Sequence, residues 1–112
     1  MKNITKYCFD LDGVICKTKN NNYKKSKPIK DAINKINRLY LDGHYILIYT
    51  SRFMGRSNEK VSKANKIGYQ LTLKQLKSWG VKFNKLKLGK PSYDIIIDNK
   101  SLNYSKDWIK KF

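Results

Sequence analysis

Apolar residues along this chain fall into short runs separated by polar stretches, and the spacing within each run names its element. Tyr7-Cys8-Phe9 and Tyr45-Ile46-Leu47-Ile48 are brief and continuous, as strands buried in a parallel sheet are. Between them Ile29, Ala32, Ile33, Ile36, Leu39 and Tyr40 recur at three- and four-residue spacing, which predicts an amphipathic helix opened by Pro28 and stopped by Asp42-Gly43. Leu71, Leu73, Leu76 and Trp79 predict a second helix ending at Gly80, with Trp79 as a core anchor. Val81, Phe83, Leu86 and Leu88 lead into a third strand, and Asp94-Ile95-Ile96-Ile97-Asp98 reads as a fourth. Ser105 through Trp108 to Phe112 predicts a short closing helix. Strands alternating with helices are the order of an α/β domain with a mostly parallel sheet.

The polar stretches predict the connections. Val14 to Lys27, with Asn20-Asn21-Asn22 at its middle, reads as an extended excursion that turns at the Asn run. Phe53 to Ile67 is polar and reads as a loop. One spacing resists the pattern: only Gly89 to Tyr93 separates the third strand from the fourth, whereas a parallel crossover takes about a dozen residues or more. Either Leu86 to Leu88 is not a regular parallel strand, or the sheet is compressed.

Candidate chemistry sits at the strand ends. In Phe9-Asp10-Leu11-Asp12-Gly13 two carboxylates stand two residues apart directly after the first strand, so both project to one side while Phe9 and Leu11 project to the other. Gly13 lets the chain turn away. Two acids placed so can share a bound phosphate and a metal ion.

These residues resemble motif I of the haloacid dehalogenase superfamily, whose phosphatases carry Asp-x-Asp-Gly after their first strand. Tyr49-Thr50-Ser51-Arg52 resembles motif II, Gly89-Lys90-Pro91 the motif III lysine, and the run Asp94 to Asn99 motif IV. The likeness reaches furthest with the small phosphatases of capsule and surface polysaccharide biosynthesis, matched at Tyr49 to Arg52, Gly89 to Pro91 and Ile97 to Lys100; Asn99 stands where that family has a second Asp. The resemblance implies a single domain over 1–112, a three-layer sandwich without a large cap domain. It also implies a flap after the first strand. By resemblance Asp10 is the nucleophile and Asp12 the general acid and base. Thr50, Ser51 and Lys90 hold the phosphate, and Mg²⁺ is held by Asp10, the Asp12 carbonyl and Asp98. A small phosphorylated sugar or related metabolite is the implied substrate, and the absence of a cap leaves room for a second subunit to cover the site.

Each assignment has a plainer counterpart. Thr50 and Ser51 could cap the following turn. Lys90 is one of 22 lysines, so it rests on its Gly-Lys-Pro context. Arg52, Phe53 and Arg56 could contact a leaving group or be solvated surface, and Arg52, Arg56 and Asn99 could alternatively touch the substrate or support the site residues from behind. Asp94 begins its strand and reads as structural. His44 precedes its strand, at the wrong end for catalysis.

Net charge of +17 invites a nucleic-acid reading, since clustered cations bind phosphate backbones. The excess is 22 Lys against three Arg, and Lys, Asn, Ile and Tyr together fill 53 of 112 positions, all with AT-rich codons. Codon bias explains that whole set, while nucleic-acid recognition explains only the lysines and favours Arg. A nucleic-acid end therefore stands as the alternative substrate and a basic binding module on the same fold as the alternative to an enzyme, and the charge should in any case steer anions toward the site. No run reaches the length of a membrane span, and Met1 to Lys6 holds no apolar signal core, so a cytoplasmic protein is expected, with Cys8 and Cys16 as reduced packing thiols.

Overall fold

The structure is a computed structural model describing residues 3–111. Three parallel strands form its sheet in the order β1 (Lys6–Phe9), β4 (Tyr45–Thr50), β5 (Lys85–Leu88). Phe9 pairs with Ile48 and Thr50 with Leu88, so the three strands end almost level. Helix α1 (Lys30–Leu41) carries the chain from β1 to β4, and α2 (Val61–Ser78) carries it from β4 to β5. Between β1 and α1 a small hairpin, β2 (Cys16–Lys17) against β3 (Lys27–Pro28), makes the expected flap, with Asn20 and Asn21 at its tip in the left-handed region that Asn tolerates best after Gly. Pro28 thus closes the flap, and α1 starts two residues later.

Both crossovers step in the same direction across the sheet. Right-handed connections of that kind lay both helices on one face. Phe9, Ile46, Ile48, Leu86 and Leu88 bury that face against Ala32, Ile33, Ile36 and Leu39 of α1, Leu76 of α2, and Trp108 of the closing 3₁₀ turn Trp108–Lys111. Trp79 packs at the edge of this core, as expected. The alternate residues Tyr45, Leu47 and Tyr49 are half-buried on the opposite face, and Cys8, Lys85 and Lys87 there are exposed. Two layers stand where the sequence predicted three.

The expected fourth strand does not form either. Residues 91–104 form neither helix nor strand, and Ile95, Ile96 and Ile97 are 81%, 53% and 96% exposed. Strand β5 is a regular parallel strand, which removes the first alternative for the short Gly89 to Tyr93 link, and the sheet is small: the segment Asp94 to Asp98 does not join it. Its absence leaves β1 at an edge. Helix α2 differs in the other direction, beginning ten residues before the expected Leu71 and absorbing much of the predicted loop. The third strand is confined to Lys85–Leu88, and the closing helix is a single 3₁₀ turn whose expected last residue, Phe112, lies outside the described residues. Among the described residues no helix is long and apolar enough to cross a membrane.

Candidate active site

Asp10, Thr50 and Lys90 meet at the carboxyl ends of adjacent parallel strands, the edge where open α/β sheets bind ligands. The Lys90 N–H donates to the Thr50 carbonyl at 3.2 Å, fastening the Gly89-Lys90 turn to the tip of β4. Gly89 has φ +105°, and a Cβ there would lie 2.7 Å from Val61 Cγ1, so the turn needs glycine for both reasons. This brings Lys90 Nζ to 3.6 Å from Asp10 Oδ2, while the Leu11 N–H donates to Asp10 Oδ1 at 2.8 Å.

The Asp10 carboxyl is half-buried, and burial pushes its pKa up from the usual carboxylate range against the opposing pull of the Lys90 ammonium and the Leu11 N–H. Burial works against the charge on Lys90 as well, but its contacts with Tyr93 and Asp10 prevail and its pKa is raised. The pair sets a half-buried carboxyl beside a fixed cation.

Asp12 points to different partners. The turn after it closes on the Leu11 carbonyl, which accepts from Val14, Ile15 and Cys16, and on the Cys16 carbonyl, which accepts from Gly13 at φ +90°; the Asp12 carbonyl is left out of the turn. Its carboxylate is gripped by Arg52, whose Nε donates to Oδ2 at 2.9 Å and whose Nη2 donates to Oδ1 at 2.9 Å. Thr18 Oγ1 donates to the same Oδ1 at 2.5 Å, and the Cys16 thiol lies 3.4 Å from it. Burial, with Asp12 beside it, pushes that thiol up to about 11, so it stays protonated and able to donate.

Arg52 is therefore not solvated surface but a support of the Asp12 carboxylate. It is 1% exposed, because Thr50 Oγ1 accepts its backbone N–H and the next residue, Phe53, turns the chain inward at φ +68°. The Phe53 ring fills the notch left by Gly68 on α2. The Thr50 hydroxyl is itself buried and caps this turn, the plainer of its two expected roles. Ser51, half-buried, accepts at its carbonyl from Met54. Arg56 donates to the Asn21 carbonyl at 3.1 Å and lies over the Tyr23 and Phe53 rings, bracing the flap over a cleft of about 370 Å³ lined also by Ile67 and Leu71.

Asp98 stands apart. Its Oδ1 accepts from Lys100 N–H and its carbonyl from Ser101 Oγ, on the exposed segment that fails to form a strand; it acts electrostatically on Cys8. Asn99 is exposed beside it. Among the described residues no three of His, Cys, Asp and Glu gather closely enough to hold a metal ion. The expected cage thus has two donors at the strand tip, the Asp10 carboxylate and the Asp12 carbonyl, and fits a divalent cation only in part. His44 accepts from Thr5 N–H at 3.0 Å at the other end of the sheet, as its position implied. Cys8 is exposed rather than packed, and both thiols are free.

With this geometry in place, comparison with known proteins adds one finding. A solved crystal structure of a target protein from Vibrio cholerae superposes on the chain with a TM-score of 0.82, 22% identity, and coverage of 96% of this chain and 95% of that one. The likeness is one of fold. No protein-family profile and no curated protein matches the chain.

Residues that spacing did not single out complete the site: Thr18 and Ser26 from the flap, and Gln75 from α2, all bonded to Asp12 or Arg52. Gln75 carries no sequence signal of its own. Gly68, a glycine inside a helix, was the one position that could have announced a close approach.

Proposed function

We propose that the chain is a phosphomonoester hydrolase of the haloacid dehalogenase type, working through an aspartyl-phosphate. The observation that carries the reading is the Asp10 carboxylate 3.6 Å from the Lys90 ammonium at the carboxyl edge of a parallel sheet, with a second carboxylate, Asp12, held two residues away by its own partners. Four motif positions in the expected order support it.

The chain's own groups account for the steps as follows. An Asp10 oxygen attacks phosphorus as the bond to the leaving oxygen breaks; that oxygen keeps the electron pair and takes the proton carried by Asp12. Lys90 offsets the negative charge shared by carboxylate and phosphate in both ground and transition state. Asp12, now a carboxylate, takes a proton from water, whose oxygen displaces Asp10 from phosphorus and releases inorganic phosphate. Mg²⁺ is the proposed cofactor, held by the Asp10 carboxylate and the Asp12 carbonyl, where it would offset phosphate charge further. The proposed substrate, from the motif resemblance, is a small phosphorylated sugar or related metabolite of surface-polysaccharide assembly, with the cytoplasm as the proposed location.

A nucleic-acid end as substrate has one observation in its favour. Lys6 lies over the Tyr45 ring, Lys87 over Tyr49 and Lys90 over Tyr93, which gives the open side of the sheet a basic, aromatic character.

Phosphate release from sugar phosphates, nucleotides and 5′- and 3′-phosphorylated oligonucleotides, with and without Mg²⁺, tests both. Turnover of sugar phosphates that needs Mg²⁺ and disappears in Asp10→Asn is the expected result. Full activity in that variant, or in excess chelator, overturns the mechanism; preference for oligonucleotide ends at physiological salt selects the second substrate.

A further inference from the structure

The Arg52 guanidinium touches three separate elements from a fully buried position. Besides Asp12 it donates through Nη1 to Gln75 Oε1 of α2 at 2.6 Å and through Nη2 to Ser26 Oγ of the flap at 3.1 Å, with the Tyr23 ring of the flap 4.8 Å from its centre. Gln75 Nε2 in turn donates to the Tyr23 carbonyl at 2.8 Å, and Ser26 Oγ meets Thr18 Oγ1 at 2.5 Å. We propose that Arg52 is a positioning residue that ties the orientation of Asp12 to the seating of the flap, so that Asp12 is aimed for proton transfer only while the flap is down. The proton-transfer part rests on the phosphatase reading; the coupling between Asp12 and the flap does not.

Two physical features carry this. A buried guanidinium loses stability with each N–H left unpaired, because desolvation of an ion is recovered through the partners its donors find. Its planar fork fixes the acceptors relative to one another, as an ammonium could not. Lifting the flap removes Ser26, Thr18 and Tyr23 together, admits water to Arg52, and so weakens its grip on Asp12. The contacts are also uneven between the two Asp12 oxygens. Arg52 Nη2, Thr18 and Cys16 converge on Oδ1, with Nε a further 3.2 Å away, whereas Oδ2 has Nε alone. Oδ2, with a single donor, is the less encumbered of the two and the oxygen we assign to proton transfer.

Arg52→Gln leaves Asp12 and Gln75 without their shared partner and invites misfolding, so the test uses Gln75→Leu, which removes one contact to Arg52 and one to the Tyr23 carbonyl but leaves the Arg52–Asp12 pair in place, and Asp12→Asn. Two readouts are taken: amide hydrogen exchange over residues 17–27, and turnover of an aryl phosphate against an alkyl phosphate, whose poorer leaving group needs the acid. Exchange in the flap should rise in both variants and not in Asp10→Asn. In Gln75→Leu, alkyl phosphate turnover should fall about tenfold further than aryl phosphate turnover, and this selective loss should vanish when Gln75→Leu is placed on Asp12→Asn. Flap exchange unaltered by Asp12→Asn overturns the coupling. Raised flap exchange in Gln75→Leu with equal losses for the two esters overturns the aiming of Asp12. A wild-type protein inactive toward both esters defeats the phosphatase reading, and the exchange measurements then decide the coupling alone.

Discussion

Replacing Gly68 by alanine sets two effects of opposite sign against each other. In an exposed helix interior the change gains about 1 kcal/mol, since glycine forfeits more backbone entropy than any other residue. At this position the added Cβ would stand 2.0 Å from Phe53 Cδ2 and 2.3 Å from Cε2, so the ring has to withdraw by about 1.5 Å to reach ordinary contact. It has little freedom to do so. Phe53 is buried, its backbone is already in the left-handed region, and its ring is in contact with Tyr23, 4.8 Å between centroids, with Arg56 above it. Overpacking of this kind costs about 1–3 kcal/mol, and disturbing the aromatic pair adds about 0.5–1.5 kcal/mol. The clash should win by about 0.5–3.5 kcal/mol, lowering the melting temperature by roughly 2–15 °C for a domain of this size. Urea and thermal denaturation of Gly68→Ala measure it, and Phe53→Ala in the same chain should restore part of the helix gain. A Gly68→Ala protein more stable than wild type would refute the packing of Phe53 against α2.

Asp10 and Lys90 give two further predictions. The Asp10 pKa is raised in the folded state, so between its unfolded and folded values the native protein binds more protons and stability falls as pH rises; Asp10→Asn, which carries no charge to bury, should therefore melt higher than wild type at neutral pH, with the advantage shrinking as pH falls through the folded value and gone below the unfolded value. Equal melting temperatures at neutral pH would show that Lys90 fully offsets the burial. Lys90→Ala should lower kcat and raise KM together in phosphate-release assays, and equal losses on replacing Lys85 or Lys87, whose side chains lie on the exposed face of β5, would show that general basicity carries the effect.

The sheet and α1 were legible because large apolar residues mark them: Tyr45 to Ile48 and the stripe from Ile29 to Leu39 have no competing reading. The first half of α2 was not, because the side it buries is made of Ala64, Gly68 and Thr72, small residues that pack closely without registering as a hydrophobic stripe. The run Asp94 to Asp98 has strand composition but lacks the chain length to return parallel to β1, and length decided. Asp10 and Lys90 were readable from their motifs. Arg52 was marked by its place after Tyr49-Thr50-Ser51 as a residue near the site, but its burial was not, since that depends on acceptors drawn from the flap and α2, and only the folded chain brings those together.

The open edge of β1 and the exposed Ile95-Ile96-Ile97 segment together give the molecule a colloidal character. An unpaired strand edge and a β-branched triplet are the ingredients of edge-to-edge association. What stands against it is mutual repulsion between copies that each carry a charge of +17. Repulsion of that kind is screened within about 10 Å at 0.1 M salt and about 3 Å at 1 M, whereas apolar attraction is not. The lysines thus act as a dispersant whose strength is set by the buffer, and solubility should fall as ionic strength rises.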